Sequence, residues 1–138
     1  MINLKEQFVG HFLLYSIVLI IVAGGYGCSA DDPEKLFQQG IDAMESEKPD
    51  EAIIWFKKAL QKNPEMAMAH YKIGQVYHEK GDGRQAYAEL SRAVQQDPKL
   101  SEARKELAFV LVENRALEQA VEVCKQYLEI NGDDERIY

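Results

Sequence analysis

Residues 67–100 read AMAHYKIGQVYHEKGDGRQAYAELSRAVQQDPKL, and this stretch decides the fold. Ile73, Gly74 and Tyr77 recur at helical spacing, Gly81-Asp82-Gly83 interrupts them, and Ala86, Leu90, Ala93 and Val94 resume the pattern. The pattern predicts two amphipathic helices joined by a tight turn. A copy lies on each side with no gap: Ala52, Ala86 and Ala120 stand 34 residues apart, in step with Gly40, Gly74 and Ala108 and with Pro64, Pro98 and Gly132. A period of this length marks a stack of helical hairpins, an architecture that binds partners along an extended surface and rarely catalyses.

The first copy carries Leu36, Phe37, Gly40, Ile41 and Met44 before a break at Lys48-Pro49-Asp50, then Ala52, Ile53, Phe56, Ala59 and Leu60. In the third, Leu107, Ala108 and Leu111 precede Asn114-Arg115, and Ala120, Cys124, Tyr127 and Leu128 follow. That last turn lacks glycine, which predicts a less regular corner. Asn63-Pro64, Asp97-Pro98 and Asn131-Gly132 close the hairpins, because proline cannot continue a helix. The expected helices run over 34–46, 50–62, 67–80, 84–96, 101–114 and 117–130, an all-α fold.

Small residues at the eighth and twentieth places of each unit, and at the twenty-seventh in Ala59 and Ala93, resemble the tetratricopeptide repeat, as do the prolines near each unit's end. The resemblance covers units at 33–66, 67–100 and 101–132, leaving a tail at 133–138. It implies a right-handed superhelical stack in which Gly40, Gly74 and Ala108 let paired helices approach closely, with Phe56, Leu90 and Cys124 filling the space beside each crossing. Two departures matter. Ala43 replaces the tyrosine found in unit two at Tyr77, which predicts looser packing in the first hairpin, and Tyr127 is a large group where the family places a small one. The exposed end of the third unit also suggests weak self-association through Val121, Tyr127, Leu128 and Ile130.

Carried over from the family, the ligand-facing positions of the first helices are Glu34, Phe37, Ile41 and Met44, then Met68, Tyr71, Gln75 and His78, then Glu102, Lys105, Phe109 and Val112. They imply a concave groove, apolar and aromatic at its middle, that captures a peptide or helix of a protein partner. Packing between neighbouring helices is the competing account of Phe37, Tyr71 and Phe109. The family's clamp for C-terminal carboxylates needs asparagine where Ile41 and Gln75 stand, which disfavours a chaperone-tail adaptor.

Composition excludes other classes. With 46% apolar residues the chain is an ordinary folded one, and its net charge of −7 leaves bases too dispersed for a nucleic-acid stripe. No phosphate loop, Gly-x-Ser-x-Gly or metal-type cysteine pair occurs, so no enzyme activity, cofactor or metal is expected. His70 and His78 lie about 12 Å apart along one helix, too far to share a metal; His70 reads as a packing residue and His78 as a groove or surface one. Cys124 reads as a small buried apolar side chain. The acids Glu45, Glu47, Asp50 and Glu51 read as solvated charge at a turn.

The first 27 residues differ from the rest. A run from Phe12 to Ala23, broken only by Tyr15 and Ser16, precedes Gly24, Gly25, Gly27 and Cys28. It is shorter than the ~20 residues of a bilayer span and suits an export signal. Placing Cys28 after small residues resembles a bacterial lipoprotein signal, which implies acylation of Cys28, a short tether at 28–32 and, from Ser29, sorting to the outer membrane. A simple secretory cut and an uncleaved anchor are the alternatives. All three place the repeats in the cell envelope, on the periplasmic or extracytoplasmic side. The expected function is a membrane-tethered scaffold for an envelope protein, as in pilus, secretion or outer-membrane assembly. A self-associating spacer and a non-catalytic accessory subunit of a membrane enzyme compete with it.

Overall fold

The computed structural model describes residues 32–132, apart from the side chain of Asn131; the expected export signal, Cys28 and the C-terminal tail lie outside the described residues. These residues form six helices and no strand: α1 Pro33–Glu45, α2 Pro49–Lys62, α3 Ala67–Glu79, α4 Gly83–Gln96, α5 Ser101–Glu113 and α6 Leu117–Asn131. Every boundary falls within one residue of the expected span. Consecutive helices pair as three hairpins, each stacked on the next, and no described helix is long and apolar enough to cross a membrane.

Local chemistry sets the ends. Asp32 caps α1 by accepting from the Glu34 amide at 3.0 Å, with Pro33 at the first helical position, and Asp82 caps α4 by accepting from the Gln85 amide at 3.1 Å. Between hairpins, the Asn63 and Asp97 side chains accept from the amides of Glu65 and Lys99 at 3.3 and 2.9 Å. Pro64 and Pro98 therefore sit inside Asx turns rather than opening the next helix. Gln96 Nε2 donates to the Pro64 carbonyl at 2.8 Å and so ties one such turn to the next hairpin.

The three corners inside the hairpins share one geometry. Glu47, Gly81 and Arg115, each 34 residues from the next, all take positive φ (57°, 76° and 60°). Their neighbours Lys48, Asp82 and Ala116 donate five residues back, to Ala43, Tyr77 and Leu111, at 2.9, 2.9 and 2.8 Å. This is the Schellman closure of a helix C-terminus. The third corner is thus as regular as the others, contrary to expectation, because the hydrogen bonds impose the left-handed residue whatever its side chain. Arg115 bears the steric cost that Gly81 avoids. Arg115→Gly is expected to raise stability by up to about 1 kcal/mol and Gly81→Ala to lower it by a similar amount, read from urea denaturation midpoints.

Two core clusters lie between the hairpins. The first joins Leu36, Ala43, Ala52, Phe56 and Ala59 to Met66, Ala69 and Ile73 of the second hairpin; the next joins Tyr71, Ala86, Leu90 and Ala93 to Leu100, Ala103 and Leu107 of the third. Within each hairpin a small residue faces a large one. A Cβ on Gly40 would stand within 2.8 Å of three Phe56 ring atoms, and one on Gly74 would stand 2.6 Å from Leu90 Cγ. The first hairpin is therefore not loose. Ala43 is buried, and Phe56 fills the volume, with its ring centroid 5.3 Å from that of Phe37. Cys124, expected to be buried like Phe56 and Leu90, is exposed. Those two are covered by the helix that opens the following hairpin, and no such helix follows α6 among the described residues.

Candidate functional site

The first helices of the hairpins, α1, α3 and α5, carry the twelve positions expected to face a ligand. Phe37, Ile41 and Met44 are half-buried and pack on the first core cluster. Tyr71 is buried in the second, with Lys72 Nζ 5.2 Å from its ring centroid. Burial, and then the charges of Glu106 and Glu102, push its phenol above the ordinary range. Tyr71 is thus a core residue rather than an exposed contact, and Phe37, Tyr71 and Phe109 do not form a continuous exposed row. Gln75 is half-buried, its Oε1 accepting from Lys72 at 3.0 Å.

His78 does not face open solvent alone. Its Nδ1 lies 2.5 Å from Glu106 Oε1 and its Nε2 2.7 Å from Glu113 Oε2, so the imidazolium bridges the second hairpin to the third. The bond to Glu106 raises its pKa; burial opposes the shift, and the bond to Glu113 adds to it. A second histidine, His70, is buried with Nδ1 2.6 Å from Glu89 Oε2, while Arg92 donates to Glu89 Oε1 at 3.0 Å. Burial alone would push the Glu89 carboxyl up, but the bond to His70, with the charges of His70 and Arg92, outweighs it and lowers the pKa. The two histidines have separate partners, His70 the Glu89 carboxylate and His78 those of Glu106 and Glu113.

These shifts set a pH window. Glu89, lowered from 4.5, contributes stability that is present above that value and lost as pH falls through its folded pKa. His78, raised from 6.5, contributes stability that is full below that value and lost as pH rises through its folded pKa. Thermal stability is therefore expected to peak between pH 4.5 and 6.5. His78→Gln should flatten the decline on the alkaline side and leave the acid limb in place, as followed by circular dichroism melts across pH.

The middle of the face, where the sequence pattern places apolar and aromatic contacts, is thus sealed by Tyr71 and polar at His78. The exposed apolar surface sits instead at the end nearer the third hairpin. Phe109 is 64% exposed and Val112 52%, with Met68 also exposed on α3. Beside them, between α5 and α6, opens a pocket of about 350 Å³ lined by Lys105, Ala108, Phe109, Val112, Cys124 and Tyr127. Lys105 Nζ lies 5.2 Å from the Tyr127 ring centroid, and its hydrogen bond to Tyr127 raises its pKa. The contributions of Cys124 and Tyr127 were not among the expected site positions. The signal for them was Tyr127 itself, a large side chain where Ala59 and Ala93 are fully buried beneath the next helix.

Gapless helical hairpins, small-against-large crossings and a ligand-facing row on successive first helices define a helical-repeat binding protein. The tetratricopeptide repeat family model matches residues 43–99 and 78–138, and the chain belongs to that family. Among solved structures it is similar to MamA (TM-score 0.71, 20% identity, covering 80% of this chain and 61% of that one). It is also similar to the TPR2B domain of yeast Sti1, whose structure is a complex with pHsp70 (TM-score 0.68, 15% identity, 73% of this chain and 81% of that one). A third similarity is to the O-GlcNAc transferase of Thermobaculum terrenum (TM-score 0.65, 25% identity, 73% of this chain and 19% of that one). The chain spans about three-fifths of the first MamA structure and a fifth of the transferase. A search of curated proteins finds no match. The fold is a scaffold for protein–protein interaction, and repeats of this family generally bind peptide or protein partners.

Proposed function

We propose that this protein is a membrane-tethered, extracytoplasmic scaffold that captures a peptide or helix of another envelope protein and carries no chemistry of its own. The tether is the acylated Cys28 that follows the apolar run from Phe12 to Ala23. The observation that carries the binding role is the exposed Phe109–Val112 patch opening onto the pocket between α5 and α6. An aromatic anchor beside an apolar pocket, with charge at its rim, is the composition of a binding hot spot. The occupant is accordingly an amphipathic segment with a bulky apolar side chain for the pocket. Carboxylates on that segment would meet Lys105 at the edge, in the manner of helix-in-groove recognition.

Crosslinking in native membranes followed by affinity capture tests this reading. Phe109→Ala together with Met68→Ala should lose one partner that the unaltered protein retains; retention of every partner by the double variant would refute the groove. The mass of the mature N-terminus tests the tether separately. A diacylated or triacylated Cys28 supports it, and an unmodified Cys28 or an intact Met1 would rule it out.

A further inference from the structure

The last helix carries a second apolar feature, separate from the ligand-facing row. Leu117, Val121, Cys124 and Leu128 follow one another at intervals of four, three and four residues, and all four are exposed, Leu117 at 60%, Val121 at 54% and Leu128 at 63%. Spacing that averages 3.5 residues is the seam of a two-stranded coiled coil, here about 16 Å long. The equivalents of Val121 and Cys124 in the first hairpin, Ile53 and Phe56, are buried. In the second hairpin Leu90, the equivalent of Cys124, is buried and Tyr87, the equivalent of Val121, is exposed, so the seam overlaps at Cys124 the surface that the next hairpin covers elsewhere in the stack.

Head-to-tail stacking of copies does not supply the cover. The residues that dock each hairpin on the one before it are Met66, Ala69 and Ile73 in the second and Leu100, Ala103 and Leu107 in the third, all buried. Their equivalents in the first hairpin are Asp32, Lys35 and Gln39, a polar face unsuited to an apolar seam. A second copy matches the seam in length and spacing with its own seam, an isologous contact that requires two-fold symmetry.

We propose that two copies pair through α6 in antiparallel orientation. A two-fold that sets Val121 against the partner's Cys124 also brings Leu117 against the partner's Leu128. The same register places Glu118, which flanks the seam, beside the partner's Lys125, twice in each dimer. Parallel pairing forms no such ion pair, because the flanking positions opposite would be Ala120 and Tyr127. The charges thus select the antiparallel arrangement. The pairing shares Cys124 and Leu128 with the pocket of the partner patch, whereas Leu117, Val121, Glu118 and Lys125 lie outside it, so Val121→Asp and the charge swap test the dimer apart from capture. Two heptads make a short seam, so the dimer is a weak one.

Sedimentation velocity of the full chain in mild detergent, over a concentration series into the sub-millimolar range, tests the proposal. A monomer–dimer equilibrium is expected. Val121→Asp or Leu128→Asp should leave a monomer of unchanged helicity. Glu118→Lys and Lys125→Glu should each weaken the dimer by roughly three- to tenfold, and the two together should restore it. A monomer throughout the series, species that keep growing beyond the dimer, or a charge swap that fails to restore pairing would each overturn it.

Discussion

Gly74→Val is expected to destabilise the protein by about 3 kcal/mol, lowering the melting temperature by on the order of 10–20 °C. A Cβ there meets Leu90 Cγ at 2.6 Å and Cδ2 at 2.9 Å, and the Leu90 backbone nitrogen lies only 3.3 Å away. Leu90 is fully buried at the centre of the second core cluster, so its side chain has nowhere to retreat. The helices α3 and α4 must separate, which loosens the middle hairpin that both neighbours pack against. Leu90→Ala alone should also be costly, by about 3 kcal/mol, because it leaves a cavity. Combined with Gly74→Val it should cost less than the sum, since the valine methyls occupy the vacated volume. The third hairpin already holds such an intermediate solution, with Ala108 facing the smaller Cys124. Chemical denaturation of the two single variants and the double variant reads this directly; strict additivity would contradict the proposed crossing.

Phe109→Asp is expected to reduce capture of the partner by about 100-fold or more while leaving stability within about 0.5 kcal/mol of the starting value. The ring is mostly exposed, so folding gains little from it, whereas a partner segment lying across the patch would bury it against Val112 and the pocket wall. An aspartate there leaves an unpaired charge in the interface. Tyr71→Phe provides the contrast. It removes a hydroxyl from a buried residue beside Gln75 and should alter capture far less than Phe109→Asp, since Tyr71 offers the partner little surface. Affinity measurement with the captured segment, alongside melting curves for both variants, separates binding from folding.

The hairpin fold is legible in the sequence because its determinants are local or strictly periodic. Gly40 faces Phe56 and Gly74 faces Leu90 at a constant separation of 16 residues, and the turn and linker residues recur every 34. The features that were misread depend on what covers each unit. Cys124 occupies the same place as Phe56 and Leu90, but their burial comes from the following helix. Arg115 adopts the backbone of Gly81 because the helix terminus demands it, a demand the residue type does not reveal. The exposed apolar part of the ligand-facing row lies away from its middle for a similar reason. Whether His78 is free for a ligand depends on Glu106 and Glu113, 28 and 35 residues away. Periodicity says which face a side chain shares, and it is silent on which carboxylate will reach it. Phe109 and Val112 are exposed, and among the described residues no first helix of a further hairpin packs beside α5.

The resulting stack is graded. The second hairpin is locked to the third by His78 and to the first by the Lys80–Asp50 ion pair, and no further described helix packs on the third. In the proposed account, the N-terminal tether and the open end lie at opposite ends of the array, so the binding patch is held away from the membrane attachment by the full length of the stack.

The central claim is that the partner is held at the α5 end of the face. The most direct measurement is photocrosslinking in native membranes from a light-activated amino acid placed singly at Phe109, at Val112, and at the exposed Ile54 and Tyr87 on the second helices. Capture of one and the same protein from positions 109 and 112, with nothing specific from 54 or 87, is the predicted result. Equal capture from all four positions, or capture only from 54 and 87, would contradict it.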